Sequence, residues 1–490
     1  MEPSSPDPEV APAAAGVTDL WGLSSVFSGV KRLGGTAVLV ALAMLAVACG
    51  SSGRGNDESS SSNDGNSGSS SQAVTSFGDL ASPCGPAEGT NAPGTDLGVT
   101  ADQVTIGYGD DAGFQGQPGL SHEMSDAVKA MISWCNDQGG INGRKVVGNY
   151  YDAKILDVNT AMQEACQQVF MIVGQGWALD GSAEPTRLAC DLPMVPGYTG
   201  SSAAAMAPLM VQPVPNPIDQ LTIQQAYALA EAFPDKVKKA AAVLSATLPA
   251  SIESVGKVKA TYPQAGWNFL DCDQTYQISG EADWKPFAQR LKDCGAEAVA
   301  FSGSEGNFEN LLDASAQLGF EPIWFTEANF YTETFALWNV SGNADDVYVK
   351  DIYVPLFDAP DDSATSQYID IVEKSGGDIS QLGAQATSAF LLWATAAKQC
   401  GTDLSRDCVM QNLYKVHEWT GGGLHAPTDP GGNNVSQCGN VLKMDKSTWT
   451  HWSPADEMFG CDPKYRAEVE PPLAAEINLK LDANRKTTAS

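Results

Sequence analysis

Apolar and polar positions follow a clear periodicity between residues 104 and 152. A short β-branched run at 104–107 is followed by a glycine-rich loop, and apolar residues then recur at helical spacing after Ser121, a candidate N-cap. A pair of glycines ends this helix, and a second strand is predicted at 145–151. Two strands that share a helical crossover lie parallel in one sheet. The pattern therefore predicts a right-handed strand–helix–strand unit of a doubly wound α/β fold.

The alternation of helices and strands continues along the chain in two halves. The first half contains helix 160–170, strand 169–174, helix 184–191 and strand 194–198. The second half contains helices 219–232, 252–261, 284–294 and 308–318, and strands 240–245, 267–271, 298–302 and 323–326. A strand at 347–355 and an alanine-rich helix at 385–399 follow. This order predicts two lobes, each with a parallel sheet.

Three segments are expected to cross between the lobes. Pro213, Pro215 and Pro217 exclude a regular helix or a central strand, so residues 210–217 are predicted as the first crossing. The other two are placed at 347–355 and 421–430. Ligands of parallel sheets bind at the carboxyl ends of the strands. One cleft is therefore predicted between the loops 107–119, 174–183, 197–206, 245–252, 302–310 and 326–333.

The run WCNDQGGINGRKVVGNYYDAK, residues 134–154, resembles the first helix and second strand of type 1 periplasmic binding proteins. More narrowly, it resembles the branched-chain amino acid (Leu/Ile/Val) binding family of ABC importers, in lipoprotein form. GGINGR followed by a strand that ends in Asp is the most specific part, and the pattern extends from about residue 104 to 461. The resemblance implies two Rossmann-like lobes joined by three crossover segments, with a ligand cleft between them. It also implies an ABC permease and ATPase as partners.

The resemblance carries over to individual positions in the cleft loops. In the family, hydroxyls and backbone N–H groups bind the ligand carboxylate, and an acidic residue binds the ammonium. Trp177 and Ala178 stand where the family has small hydroxyl residues, so the ligand is not narrowed to branched-chain amino acids. For Trp177 and Tyr198, packing between the lobes is the alternative role. The expected ligand-binding residues are Asp110, Phe114, Trp177, Ala178, Tyr198, Thr199, Glu305, Glu327, Asn329 and Tyr331.

Charge narrows the class of partner and ligand. The 490 residues include 28 Lys plus Arg and 59 Asp plus Glu, a formal net charge of −31 that argues against nucleic-acid partners. The six cleft loops contain no Lys or Arg. They contain Asp110, Asp111, Asp180, Glu305, Glu309, Glu327 and Glu333. A cationic amine, a zwitterion or a neutral amide is therefore expected as ligand rather than an anion, unless these acids serve only the solubility of an exported surface.

Motifs for catalysis, cofactors or metals are lacking in the sequence. The four histidines, at positions 122, 417, 425 and 451, form no HExxH pair, and neither a GxSxG elbow nor a phosphate-binding P-loop occurs. No catalytic residue, metal or cofactor is therefore expected, and the favoured function is a monomeric binding protein that serves an importer. A sensor of the same fold that reports to a signalling receptor is one alternative. An extracytoplasmic enzyme is the other.

The amino-terminal segment has the features of an export signal. Lys31 and Arg32 precede an uncharged run at 33–48 that ends in small residues and Cys49. This pattern predicts a signal peptide with a lipoprotein box, with a membrane-spanning signal anchor as the alternative. In the family, Cys49 would be acylated and would become the mature amino terminus. The protein would then be tethered to the outer face of the bacterial cytoplasmic membrane.

The remaining ten cysteines predict disulfides. The sequence has eleven cysteines and no CxxC motif, which argues against zinc and thioredoxin-type sites. An even number fits an oxidising compartment. Close neighbours with turn-forming spacers are the preferred pairs, and the last pair follows by elimination. The predicted pairs are Cys400 with Cys408, Cys438 with Cys461, Cys166 with Cys190, Cys272 with Cys294, and Cys84 with Cys135.

These observations divide the chain into five regions. Residues 1–49 form the signal peptide, with Val30 as an alternative start, and residues 50–98 form a Ser/Gly-rich tether and lead-in. Lobe 1 comprises residues 99–214 and 354–424. Lobe 2 comprises 215–353 and 425–462, and residues 463–490 form a carboxyl-terminal tail.

Overall fold

The computed structural model describes residues 76–469. The predicted signal peptide, Cys49 and most of the tether lie outside these residues. Within 76–469, no helix is both long enough and apolar enough to cross a membrane.

Lobe 1 is built on a parallel four-stranded sheet in the order β2-β1-β3-β4. Its first elements are β1 (Gln103–Asp110), α1 (His122–Asp137), β2 (Lys145–Asp152), α2 (Val158–Ala165), β3 (Met171–Val173), α3 (Glu184–Ala189), β4 (Met194–Val195) and α4 (Ser202–Ala205). The strand–helix–strand unit is therefore confirmed, and β1 and β2 pair in parallel over their whole length. Ser121 directly precedes α1, as predicted, but its φ of 59° is positive and its side chain makes no capping hydrogen bond, so it is not a side-chain cap.

Lobe 2 contains a larger, mixed sheet in the order β12-β11-β10-β9-β8-β6-β7, with β13 paired to β11. The chain enters through β5 (Gln220–Thr222), α5 (Gln224–Ala232), β6 (Ala240–Ser245), α6 (Pro249–Thr261), β7 (Gln274–Tyr276), α7 (Lys285–Cys294), β8 (Ala298–Ser302), α8 (Glu305–Gln317), β9 (Ile323–Thr326), α9 (Glu333–Trp338) and β10 (Val347–Asp351). It then returns to lobe 1.

After β10 the chain returns to lobe 1 and adds three helices, which complete this lobe. They are α10 (Ala364–Ser375), α11 (Gln381–Lys398) and α12 (Arg406–Leu413). α11 is buried over most of its length and packs against α1 in the core of lobe 1. Its alanines and glycine permit this close approach because their side chains occupy little space.

The last part of the chain returns to lobe 2 and adds antiparallel strands. They are β11 (Cys438–Asp445), β12 (Thr448–Ser453), β13 (Gly460–Cys461) and β14 (Arg466–Glu468). β11 pairs antiparallel with both β10 and β12. The chain thus passes between the lobes three times, as the fold class predicted.

Three predicted assignments are wrong. The start of the helix predicted at 219–232 is instead β5, which pairs with β14, so residues 463–469 belong to lobe 2 rather than to a tail. The strand predicted at 267–271 forms only one bridge, Ala240 with Phe269, and β7 occupies the sheet edge instead. The aromatic residue Trp267 serves packing rather than strand pairing, because it contacts Tyr262 and Phe325 and is buried.

Ten cysteines of the described chain form five disulfides, and the pairing agrees with the predicted one. The pairs are Cys84–Cys135, Cys166–Cys190, Cys272–Cys294, Cys400–Cys408 and Cys438–Cys461. The first pair attaches the lead-in segment to α1. Phe77 of the same segment is fully buried and contacts Trp134 edge-on at 5.9 Å between ring centroids.

Candidate functional site

A cavity of about 520 Å³ lies between the loops of the two lobes. Its walls come from the loop after β1, the loops after β3 and β4, the start of α6, and the loops after β8 and β9. Residues of the first two predicted crossings, at 214–216 and 350–353, complete it together with Val435, Gly439 and Asn440. Because these loops follow the carboxyl ends of parallel strands, the predicted cleft position agrees with the structure.

Seven of the ten predicted ligand-binding residues line this cavity. They are Phe114, Ala178, Tyr198, Thr199, Glu305, Glu327 and Asn329. Whether they contact a ligand stays a prediction.

The other three predicted residues lie outside the cavity wall. The Asp110 carboxylate accepts hydrogen bonds from the backbone N–H of Ala112 at 2.9 Å and from the Tyr150 hydroxyl at 2.7 Å, and burial raises its pKa. Trp177 is 1% exposed and packs in the apolar core beneath the loops of lobe 1. The Tyr331 hydroxyl accepts a hydrogen bond from the backbone N–H of Leu356 at 2.9 Å. Tertiary packing directs these three side chains away from the cavity wall, and their predicted role in ligand binding, like that of the other seven, stays a prediction.

A carboxylate next to Asp110 holds two cavity loops in place. Asp111 accepts hydrogen bonds from the backbone N–H of Ile155 at 2.6 Å and of Ala178 at 2.7 Å. Burial raises its pKa to about 6. Both oxygens are therefore used within lobe 1, and the role of Asp111 is structural.

The lobe 1 wall is joined to lobe 2 by a direct hydrogen-bonded contact. Glu253 of α6 accepts hydrogen bonds from the Ser202 backbone N–H at 2.6 Å and from the Ser202 hydroxyl at 2.8 Å, at the start of α4. Burial raises the pKa of Glu253. This two-point contact connects the lobes on one side of the cavity.

The lobe 2 wall contains two further carboxylates in different surroundings. Glu305 accepts hydrogen bonds from the hydroxyls of Thr332 and Thr334, each at 2.7 Å, and burial raises its pKa. Burial also acts to raise the pKa of Glu327, but the Lys350 ammonium at 3.0 Å and the Ser254 hydroxyl leave it below the ordinary value. Glu327 is therefore neutralised within the chain, whereas Glu305 has only hydroxyl partners.

Two lysines that the loop analysis missed also line the cavity. Lys350 projects from β10, and Lys257 projects from α6. The Lys257 ammonium donates to the Asn216 side-chain oxygen at 2.6 Å and to the Pro217 carbonyl at 2.9 Å, and burial lowers its pKa to about 7. The six loops contain no Lys or Arg, as predicted, but the cavity wall contains these two lysines from α6 and β10. The position of Lys257 four residues after Glu253 on a predicted helix was the one signal in the sequence that could have placed it there.

Acidic residues still outnumber basic ones in the cavity wall. Its acidic residues are Glu123, Glu253, Glu305, Glu327 and Asp351, and its basic residues are Lys257, Lys350 and His122. The charges of Glu123 in lobe 1 and Glu305 in lobe 2 act on each other across the cleft, and burial is the main reason that the pKa of Glu123 is raised. A positive group placed between them would relieve this repulsion.

One group of side chains has the composition of a metal site. His122, Asp126 and Asp378 offer ligand atoms within 4.8 Å of one another at the rim of lobe 1. The imidazole is already bound, with Nε2 at 2.7 Å from the Asp378 carboxylate and Nδ1 at 2.7 Å from the Gly119 carbonyl. Burial acts to lower the pKa of His122, but these partners raise it to about 9. We therefore interpret His122, Asp126 and Asp378 as a charged imidazole paired with carboxylates rather than as a metal site.

The chain is similar to known proteins in both sequence pattern and fold. The sequence pattern of the family described as "Periplasmic binding protein" matches residues 103–448. No curated protein matches the chain.

Solved structures share the fold at low sequence identity. The branched-chain amino acid transporter substrate-binding protein LivJ from Streptococcus pneumoniae, in complex with isoleucine, is 14% identical, with a TM-score of 0.60 over 76% of this chain and 100% of that chain. A fatty acid ABC transporter substrate-binding protein from Thermomonospora curvata is 13% identical, with a TM-score of 0.63 over 78% of this chain and 97% of that one. A solute-binding protein of an ABC transporter from R. palustris, in complex with 4-hydroxybenzoate, is 17% identical, with a TM-score of 0.59 over 74% and 98%.

Proposed function

The chain belongs to the periplasmic binding protein family, and from this premise we propose that it is an extracytoplasmic solute-binding protein of an ABC importer. It captures a small molecule of the amino acid, amine or amide type between its lobes and delivers it to the permease and ATPase. The observation that carries the proposal is the cavity of about 520 Å³, whose wall combines polar residues of both lobes and of the first two crossings. A site of this volume fits a small organic molecule.

Capture requires that the lobes open and close. The three crossings provide a hinge, since a few residues in connecting segments can absorb the change in backbone angles. The contact between Glu253 and Ser202 supports a closed state in which both lobes surround the ligand. Opening would break these two hydrogen bonds.

The ligand class is argued from the cavity wall, because the fold alone leaves it open. Proteins of the same fold have been solved with isoleucine and with 4-hydroxybenzoate. In this chain Lys350 is paired with Glu327, and Lys257 is bound to Asn216 and Pro217. Glu305 has no such cation, and Glu123 has only the His122 imidazole at 3.6 Å, so a ligand with a positive group, or a neutral amide, is favoured over an anion. We expect ligand contacts from Phe114, Ala178, Tyr198, Thr199, Glu305, Glu327 and Asn329.

Native mass spectrometry of the purified protein, followed by calorimetry with a ligand panel, tests this proposal. We expect a bound small molecule in the mass spectrum, and amino acids, amines or amides that bind more tightly than phosphate, sulfate or plain carboxylates. Tightest binding to an anion without a positive group would contradict the ligand class. Binding of no small molecule at all would contradict the function.

Delivery to an importer is tested by uptake. Cells that lack this chain should lose high-affinity uptake of the identified ligand, and the chain with an intact cavity should restore it. Normal uptake together with a lost transcriptional or signalling response would favour the sensing role instead. Consumption of the ligand on prolonged incubation with the pure protein would indicate an enzyme.

We also propose that Cys49 anchors the protein to the outer face of the cytoplasmic membrane through acylation, because it follows a basic pair and an uncharged run of small and apolar residues. Cys49→Ala should release the mature protein from membranes or leave the precursor uncleaved. Unchanged membrane association with normal cleavage would refute the anchor.

A further inference from the structure

Several buried oxygen atoms of the cavity wall lack a hydrogen-bond partner among the described residues, and three of them belong to side chains that meet where β10 leaves lobe 2 and β11 enters it. These three are Oδ2 of Asp351, Oε1 of Gln381 and Oδ1 of Asn440. The three residues are 3%, 3% and 0% exposed. All three belong to the cavity wall.

The three side chains are neighbours although they come from three elements. Asp351 of β10 and Asn440 of β11 are paired directly opposite each other in the antiparallel ladder, and such pairs place their Cβ atoms about 5 Å apart. Gln381, at the start of α11, donates from Nε2 to Oδ1 of Asp351 at 2.5 Å. The group therefore combines two strands of lobe 2 with one helix of lobe 1.

Surrounding hydrogen bonds determine which atom of each side chain remains unpaired. The Asn440 amide nitrogen donates to the carbonyls of Tyr353 at 3.0 Å and Met458 at 3.4 Å. Oδ1 of Asp351 accepts from the backbone N–H of Ile352 at 2.6 Å and of Tyr353 at 2.9 Å. Each amide nitrogen is thus used, and the three unpaired atoms are all acceptors.

The described chain supplies no cation for this group. Burial and hydrogen bonds are the only causes that act on the pKa of Asp351, which is raised to about 7. The two lysines of the cavity wall are bound elsewhere, Lys350 to Glu327 and Lys257 to Asn216 and Pro217. A buried carboxylate with an unpaired oxygen is unfavourable until a donor or a positive charge reaches it.

We propose that Asp351, Gln381 and Asn440 form a subsite for the cationic end of the captured molecule, an ammonium or guanidinium group whose N–H donors pair with the three oxygens. This inference rests on the proposed capture of a ligand in the same cavity and adds which end of the cavity receives the positive charge. An ammonium group offers three donors for three acceptors. A calcium ion is matched less well, because its sites use six to eight oxygens and this group has one carboxylate.

The test uses pairs of probes that have nearly the same shape and differ in charge. L-Lysine is compared with L-norleucine, and L-arginine with L-citrulline, by calorimetry on the full chain. We expect the wild type to bind the cationic member of at least one pair about tenfold or more tightly, a typical effect of one charge-assisted contact. In Asp351→Asn this preference should fall to about threefold or less, with little change for the neutral member.

Two controls separate this subsite from general effects of charge. Asp180→Asn removes another buried carboxyl whose pKa is raised by burial to about 7, but whose oxygens are both hydrogen-bonded and do not line the cavity. It should leave the preference within each pair unchanged. Glu305→Gln should weaken binding of both members of a pair rather than abolish the preference. If Asp351→Asn fails to fold, Gln381→Met removes one acceptor without a change in charge and should reduce the preference in the same direction.

Three outcomes would overturn the subsite. In the first, the preference for the cationic probe survives in Asp351→Asn but is lost in Glu305→Gln. In the second, the wild type shows no such preference, and in the third it binds only neutral or anionic molecules from the wider panel. Stabilisation by sodium or calcium chloride alone that requires Asp351, with unchanged preferences, would assign the group to an inorganic ion instead. If the protein still binds a small molecule in any of these cases, the proposed capture function stands although the subsite does not. The experiment therefore distinguishes failure of the subsite from failure of the capture function.

Discussion

Arg144 shows how one residue of a recognisable motif organises lobe 1. It is the last residue of GGINGR and is 0% exposed. Its guanidinium donates to the carbonyls of Thr100 and Ala92, each at 3.0 Å, and of Thr402 at 2.8 Å, and to the Asn91 side-chain oxygen at 3.0 Å. These partners come from the lead-in, the entry to β1 and the turn after α11. Burial lowers the pKa of Arg144, so the hydrogen bonds must offset the cost of burying its charge.

Replacement of this arginine by lysine should therefore be costly. A lysine keeps the charge but has one nitrogen, which cannot reach four acceptors arranged around a planar group. We expect Arg144→Lys to lower the free energy of unfolding by about 2–4 kcal/mol in urea denaturation. Arg290→Lys on the exposed face of α7 is the matched control and should change it by less than about 0.5 kcal/mol. Equal stability of the two variants would show that the buried network is unimportant.

Single residues also show what the sequence could not indicate about the cavity wall. Tyr198 and Thr199 line the cavity as expected. Trp177, one position from the cavity residue Ala178, faces the apolar core. Loop residues have no periodicity that would tell these directions apart. Only packing decides which of two adjacent side chains enters the cavity.

At the scale of elements, disulfides attach segments that lack regular structure. Cys84 in the lead-in and Cys135 in α1 are both 0% exposed and are separated by 51 residues. In the chain-entropy model, closing a loop of this length stabilises the fold by about 4 kcal/mol. The disulfide therefore holds the segment that precedes β1 against lobe 1.

Removal of this disulfide should loosen the lead-in first. For the double variant Cys84→Ala/Cys135→Ala we expect a loss of about 4 kcal/mol and faster proteolysis within residues 77–98. Cys400→Ala/Cys408→Ala, with a separation of 8 residues, should cost only about 2.5 kcal/mol and leave the lead-in protected. Limited proteolysis with mass spectrometry and urea denaturation measure both effects. Equal losses in the two variants would contradict the dependence on loop length.

At the scale of the whole molecule, buried carboxyls make stability depend on pH. Burial raises the pKa of Asp111 to about 6 and that of Asp180 and Asp351 to about 7, whereas an unfolded aspartate titrates near 3.9. Between pH 4 and 7 the folded state therefore binds protons that the unfolded state does not, so stability falls as pH rises through this window. His425 acts in the opposite direction. Burial lowers its pKa to about 4, and its contribution is lost as pH falls below about 6.5.

His122 and Glu309, whose pKa values are raised to about 9 and about 7, act in the same direction as the three aspartates, whereas Lys257, whose pKa burial lowers to about 7, acts in the same direction as His425. The raised groups outnumber the lowered ones, so the ligand-free protein should melt at a higher temperature at pH 5.5 than at pH 8. A difference on the order of 3–5 °C is expected by calorimetry at constant ionic strength. The formal net charge of −31 adds to the trend, because deprotonation increases self-repulsion. Asp180→Asn removes one titrating group and should reduce the difference. A melting temperature that rises from pH 5.5 to pH 8 would contradict these assignments.

The sequence by itself determined most of the alternation of strands and helices from β1 to β10, the first crossing at its prolines, the pairing of the cysteines and the loops that face the cleft. These features depend on short-range rules: periodicity over one element, turn chemistry, the fixed backbone angle of proline, and the rule that parallel strands end at one edge. Only the tertiary structure decided that β5 pairs with β14, that Lys257 and Lys350 enter the cavity, and that Asp351, Gln381 and Asn440 meet at the hinge. Each of these depends on contacts between residues far apart in the chain. Apart from the spacing of Lys257 from Glu253 on a predicted helix, local patterns carry no information about them, because the same residue types serve equally well on an exposed face.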